Sequence, residues 1–184
     1  KGFADAPVVT QPPPLAERYI ESGLNIIGKT ALPEFAYNTH TESHLNGRTR
    51  NPWDPSLTTG GSSGGAAALV ASGVVPMAHG TDGGGSCRIP STHCHTLGLK
   101  TSRGRHVSTV LATPTIKETQ TNQMITRSVR DLAMSFAIVE QRGDNATYPE
   151  LGFISGPSKK RLKIAVALKT EDGLSADADV IDVV

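Results

Sequence analysis

Apolar residues recur along this chain in short runs, separated by polar stretches rich in proline and glycine. After a stiff Pro12-Pro13-Pro14 entry, Leu15, Tyr19 and Ile20 share one helical face and Gly23 is a natural stop. That spacing predicts a helix over Leu15 to Gly23. Asn25 to Gly28 reads as a short buried strand, and Pro33 to Pro55 as loop, with Asn51-Pro52-Trp53-Asp54-Pro55 a rigid turn. Ala66 to Ala71 has helix-forming composition and ends by Gly73. Val74 to Ala78 reads as a strand, Gly80 to Ser86 as a glycine turn, and Ile89 to Leu99 as irregular. Ser128 and Asp131 have capping-box spacing and open a helix through Met134, Phe136, Ile138 and Val139. Arg161 to Leu168 reads as a strand with an apolar core. Ser175 to Asp179 then supplies a cap and acids for a helix heading toward Val184. Helices alternating with short apolar strands favour an α/β fold.

Composition narrows the class. The chain has 184 residues and a formal net charge of +1, so charge makes no case for nucleic acid or an anionic membrane as partner. The 37% hydrophobic content rises to about 47% once glycine is counted, which is globular composition. Two cysteines exclude a disulfide scaffold. No apolar run reaches the roughly 20 residues of a membrane span, and the opening stretch has no signal-peptide core, which points to the cytoplasm. The sequence opens on Lys1 and closes as a helix begins. Both ends therefore read as cut, and residues 1–184 as part of a larger domain.

Glycine is the uneven entry in the composition. Eleven of the 19 glycines lie between Gly60 and Gly104, and glycine gathers where backbone turns tightly or approaches a ligand closely. Two turns stand out: Gly60-Gly61-Ser62-Ser63-Gly64-Gly65, and Gly80 through Asp82, Gly83, Gly84, Gly85 and Ser86 to Arg88. A helix and a return strand between them can bring both to the same end of a sheet. Gly60 to Gly65 has the outer spacing of a phosphate loop, but Ala66 stands where that loop needs lysine. Gly61 to Gly65 meets the nucleophile-elbow pattern around Ser63, but turn residues precede it instead of a strand. Two surface turns without catalytic role are the plain alternative. Against it, three glycines before Ser86 can aim several N–H groups at one point, as an oxyanion hole requires. A serine placed there is a candidate acyl-transfer nucleophile, given a base to take its proton. The six histidines are scattered and suggest no particular Ser-His-Asp set; a Ser-Lys arrangement is the other option.

These blocks resemble the amidase signature family. The two turns match its core, together with Gly98-Leu99-Lys100-Thr101-Ser102-Arg103-Gly104-Arg105. Gly28-Lys29-Thr30-Ala31-Leu32-Pro33-Glu34-Phe35, Arg50-Asn51-Pro52-Trp53 and Thr126 to Asp131 match flanking blocks in order. The signature region covers about residues 25–131. The Asp-Gly-Gly-Gly-Ser form looks closest to amidases of the 6-aminohexanoate cyclic-dimer hydrolase type. Glutamyl-tRNA amidotransferase-type subunits, which usually carry Asp-Thr-Gly-Gly-Ser there, rank lower.

The resemblance implies a mixed sheet flanked by helices and a Ser–cis-Ser–Lys mechanism on a small amide. Ser86 would be the nucleophile and Ser62, after a cis peptide from Gly61, the bridging serine. The backbone of Gly83, Gly84, Gly85 and Ser86 would form the oxyanion hole. Ser63 would support them, and Asp82 and Arg88 would brace the turn as an ion pair. No metal or organic cofactor is called for. The family's catalytic lysine lies in a Lys-Asp block upstream of the Gly-Lys-Thr block, and neither Lys1 nor Lys29 has that context, so this chain alone is expected to be inactive. A non-catalytic remnant or interaction subunit with the same fold is the alternative, and a second copy of the chain is left open as partner. Departures from the pattern are Ala31, Cys87, Ser91 and Thr101.

Other candidates have plainer readings. Cys87, His93, Cys94 and His95 lack zinc-site spacing and read as small core residues and loop histidines. Lys100, Arg103, Arg105 and His106 read as a solvated or salt-bridged loop, Trp53 as a packing anchor, and Glu118 as a solvated acid.

Overall fold

The computed structural model describes residues 10–107, 119–144 and 146–183; Lys1, Glu118 and Val184 lie outside them. The first helix, α1 (Pro14–Glu21), starts on a proline whose missing N–H costs nothing there. It buries Leu15 and Tyr19, four residues apart on one face. The Ser22 hydroxyl closes it on the Tyr19 carbonyl at 2.7 Å. A single 3₁₀ turn (Glu34–Ala36) and a two-residue hairpin, β1 (Glu42–Ser43) with β2 (Gly47–Arg48), occupy the loop-rich stretch. Helix α2 (Gly64–Ala71) is alanine-rich and largely buried. It leads to β3 (Met77–Asp82), which is followed by the short helix α3 (Arg88–His93). Strand β4 (Thr121–Thr126) precedes α4 (Val129–Val139), and α5 (Ala178–Ile181) is one turn near the end.

The organising unit is the antiparallel pair β3–β4, in register from Met77 opposite Thr126 to Asp82 opposite Thr121. Directly opposed residues share a face. Ala78 and Ile125 face α2 and pack with Ala66, Ala67 and Val70. Met77 and Met124 belong to the other face and pack with Leu15 and Tyr19 of α1 and Val139 of α4. Helices therefore cover both faces, as the α/β reading anticipates. Arg127, just beyond β4, donates to the Val70 and Val75 carbonyls and so ties the C-terminal end of α2 to the sheet. The Ser128 hydroxyl accepts from the Asp131 amide at 3.1 Å and caps α4, as its sequence spacing predicts.

Several expected elements differ. Asn25 to Gly28 forms no strand, and Ile27 is 72% exposed. The strand read over Val74 to Ala78 lies at Met77–Asp82, so Gly80, Thr81 and Asp82 are strand and the glycine turn begins at Gly83. The supposedly irregular Ile89 to Leu99 contains most of α3. Arg161 to Leu168 forms no strand, with Leu162, Ile164 and Val166 exposed. The last helix has Asp177 at its N-cap position, two residues after the expected Ser175, and the Asp177 side chain makes no cap bond. Strand β4 went unforeseen: Thr-Asn-Gln-Met-Ile-Thr has little apolar signature, yet all six residues are buried. Among the described residues no helix is long and apolar enough to cross a membrane.

Candidate active site

The two serine turns meet at the Asp82 end of β3. The Ser63 amide donates to the Ser86 carbonyl at 3.1 Å and seats one turn on the other. Ser63 Oγ is 3.4 Å from the Thr81 amide and 3.5 Å from the Thr81 carbonyl. The approach is close enough to require glycine at position 80, where a Cβ would sit 2.8 Å from Cys87 Sγ and 3.0 Å from Ser63 Oγ.

Ser62 is 1% exposed, follows a cis peptide bond from Gly61, and its Oγ is buried with no hydrogen-bond partner among the described residues. Thr41 holds the backbone around it. Its hydroxyl contacts the Gly60 carbonyl at 2.9 Å and the Ser62 carbonyl at 3.2 Å, and accepts from the Gly64 amide at 3.0 Å. Gly61 is equally confined, since a Cβ there would lie 2.8 Å from the His40 amide and 2.9 Å from the Asn38 carbonyl. The loop over residues 38–41 thus forms the outer wall of the Ser62 turn. Sequence reasoning missed Thr41, because a lone threonine in a polar loop carries no motif.

Asp82 organises the second turn. Its side chain is fully buried, and its carboxylate accepts from the amides of Gly85 (2.8 Å), Cys87 (3.2 Å) and Arg88 (3.3 Å). The Arg88 side chain adds a two-pronged contact, both arms at 3.0 Å, so the expected ion pair is present. Burial pushes the carboxyl pKa up, but the hydrogen bonds from Arg88 and the three amides outweigh it and hold the group below the usual aspartate value. The Gly85 N–H is turned inward to Asp82, whereas the amides of Gly83, Gly84 and Ser86 have no acceptor among the described residues. Gly83 and Gly84 are exposed and Ser86 is half-buried, so this edge of the turn faces outward.

The amidase family profile matches residues 8–184. The chain belongs to the amidase signature family. It is 41% identical over 159 residues to a putative amidase AmiC of Mycobacterium leprae, covering 83% of this chain and 32% of that protein. It is 35% identical over 184 residues to indoleacetamide hydrolase of Bradyrhizobium diazoefficiens, covering 96% of this chain and 33% of that one. The fold resembles the solved 6-aminohexanoate cyclic dimer hydrolase with a TM-score of 0.69 and 36% identity, over 74% of this chain and 29% of that chain. The chain spans about a third of the length of the curated relatives it matches.

Within the amidase frame the departures are packing positions. Cys87 is buried and its thiol is pushed up to about 12, first by burial and then by the nearby Asp82 charge, which suits a small core residue. Cys94 is likewise buried and free, and burial raises its thiol to about 11. Ser91 is buried, and its hydroxyl has no partner among the described residues. Ala31 backs the serine turn, since a Cβ on Gly65 would fall 2.5 Å from its amide. Trp53, expected as a packing anchor, is exposed, and its indole N–H pins the turn to the Cys94 carbonyl at 2.9 Å. Asn51 is the buried member of that block and reaches the Thr58 and His93 carbonyls. The basic stretch divides. Arg105 pairs with buried Glu140 at 3.0 Å, His106 is buried with Nδ1 2.5 Å from the Asn122 carbonyl, and Lys100 reaches the turn that carries Ser86.

Proposed function

We propose that the protein hydrolyses carboxamides or small linear or cyclic amides through an acyl-enzyme on Ser86. The observation that carries the reading is the Ser63 amide bonded to the Ser86 carbonyl at 3.1 Å, because it seats the two serine turns against each other. The buried, unpartnered Ser62 hydroxyl supports a relay role: a hydroxyl can accept one proton while donating another. In this reading Ser86 Oγ attacks the amide carbonyl while Ser62 takes its proton and passes its own onward to a basic amine. The outward amides of Gly83, Gly84 and Ser86 receive the negative charge that develops on the carbonyl oxygen. Collapse of the tetrahedral intermediate breaks the C–N bond, and the relay returns a proton to the departing ammonia or amine. Water, deprotonated through the same relay, then cleaves the acyl ester and regenerates Ser86. Asp82 and Arg88 do not touch the substrate in this scheme; they set the curvature of the turn.

By the family pattern the amine is a lysine in a Lys-Asp block. The 184-residue sequence contains no Lys-Asp pair, so no lysine present in it fits that role. Indoleacetamide hydrolase and the cyclic dimer hydrolase among the relatives bracket the chemistry proposed, from a simple carboxamide to a cyclic amide.

A fluorophosphonate probe tests the reading. Applied to the whole protein, it should modify Ser86, and Ser86→Ala should abolish that modification. Mapping of the adduct to any other residue would exclude Ser86 as nucleophile.

A further inference from the structure

Lys100 belongs to no part of the scheme so far, yet its side chain ends inside the nucleophile turn. The ammonium donates to the Asp82 carbonyl at 2.6 Å and to the Thr119 carbonyl at 2.8 Å, with Asp82 Oδ1 farther away at 3.7 Å. The Asp82 carboxylate already has two bonds from the Arg88 side chain and three from amides. Charge neutralisation there is therefore the lesser part of what Lys100 does. Its short contacts are to two main-chain oxygens, at the point where β3 ends and two residues before β4 begins.

The Asp82 carbonyl belongs to the same rigid peptide plane as the Gly83 N–H, and in a trans peptide the two point in opposite directions. Fixing the oxygen therefore fixes the direction of the N–H. Among the described residues little packs against that plane from the other side: a Cβ on Gly83 would meet nothing closer than Thr119 Oγ1 at 4.0 Å, and one on Gly84 would meet nothing within 4 Å. Two consecutive glycines in open space rotate freely unless their peptide groups are tied. The far end of the turn is tied by the Gly85 amide to Asp82, and the near end by Lys100. A cation on the carbonyl oxygen also polarises the amide and strengthens its N–H as a donor.

We propose that Lys100 is a positioning residue for the oxyanion site, holding the Asp82–Gly83 peptide so that the Gly83 N–H is aimed at the developing negative charge. The inference rests on the reading of Ser86 as nucleophile. Because the phosphonyl oxygen of a fluorophosphonate needs the same donors, the probe reports on both. Lys100→Met and Lys100→Gln are compared with the unaltered protein for thermal stability, for the probe's apparent binding constant and for the limiting rate of Ser86 modification. Loss of one well-aimed donor costs about 10²–10³ in rate, so loss of its aim should slow the limiting rate roughly tenfold to a hundredfold. The apparent binding constant should stay within about twofold, a split that simple loss of folded protein cannot produce. If Lys100→Met fails to fold, Lys100→Gln decides alone. A folded variant that modifies Ser86 at the unaltered rate overturns the role of Lys100 and leaves Ser86 standing. Absence of modification in the unaltered protein removes both.

Discussion

The serine–glycine core and the stretch after Pro149 carry comparable local signals but behave in opposite ways. In the core, polar groups are buried and tied: Asp82 has five donors, Thr41 three backbone partners, and every residue of β4 is inside. In the later stretch Leu162, Ile164, Val166 and Leu174 are exposed, and residues 161–168 find no partner strand among the described residues. β-Branched and apolar residues do not make a strand by themselves; pairing and a covered face do. The polar β4 is a strand because β3 lies beside it and α2 behind it, whereas the apolar Arg161 to Leu168 has neither among the described residues.

The sharpest way to break the core is Asp82→Asn. The substitution turns one acceptor oxygen into a donor among five donors and leaves Arg88 without its partner. Breaking a buried charged pair costs about 3–5 kcal/mol, and the lower end applies because the Arg88 side chain is half exposed. Urea unfolding should show that loss, and Ser86 modification should fall below detection.

Acid probes the same contrast without mutation. Burial lowers His79 to about 4, partly offset by a hydrogen bond with Asn122, so the native state keeps this imidazole neutral. The unfolded chain takes up that proton near 6.5, so the His79 contribution is present above 6.5 and disappears as pH falls toward 4. Asp82, held below its ordinary value, adds a second loss at still lower pH as its carboxylate protonates. Urea midpoints should therefore decline in two stages, and His79→Gln should flatten the upper one. A midpoint flat down to pH 4 in the unaltered protein would contradict the buried neutral imidazole.

Thr41→Val sharpens the comparison further. It keeps the side-chain shape but removes the hydroxyl that serves Gly60, Ser62 and Gly64, at a cost of about 1–3 kcal/mol. The Ser86 modification rate should drop with it, since the Ser62 turn loses its support. The smallest effect belongs to the exposed stretch. In the 184-residue chain Ile164→Lys, at a residue 81% exposed, should shift stability by no more than about 0.5 kcal/mol. A larger loss would mean that the segment is packed against something.

Helices α1, α2 and α4 were legible because each carries a local signal: an i, i+4 apolar pair, an alanine run, a serine cap. The two glycine turns were legible as chemistry because few other uses of backbone require so many glycines around serine. Strand β4 and the true start of β3 were not, since both are defined by pairing between residues 39 (Asp82 to Thr121) to 49 (Met77 to Thr126) positions apart. Thr41 and Lys100 act through contacts 19 to 23 and 18 to 19 residues away, which no local pattern marks. The inward turn of the Gly85 amide was equally invisible, because glycine names a freedom and not a direction.

The central claim is that Ser86 forms the covalent intermediate with Ser62 as its proton relay. Acid quenching of the whole protein during turnover of 4-nitrophenyl acetate, followed by peptide mapping, tests it directly. The prediction is a single acetyl group on Ser86, absent in Ser86→Ala and strongly reduced in Ser62→Ala. An acetyl group on another residue, or full acetylation of Ser86 in the Ser62→Ala variant, would contradict it.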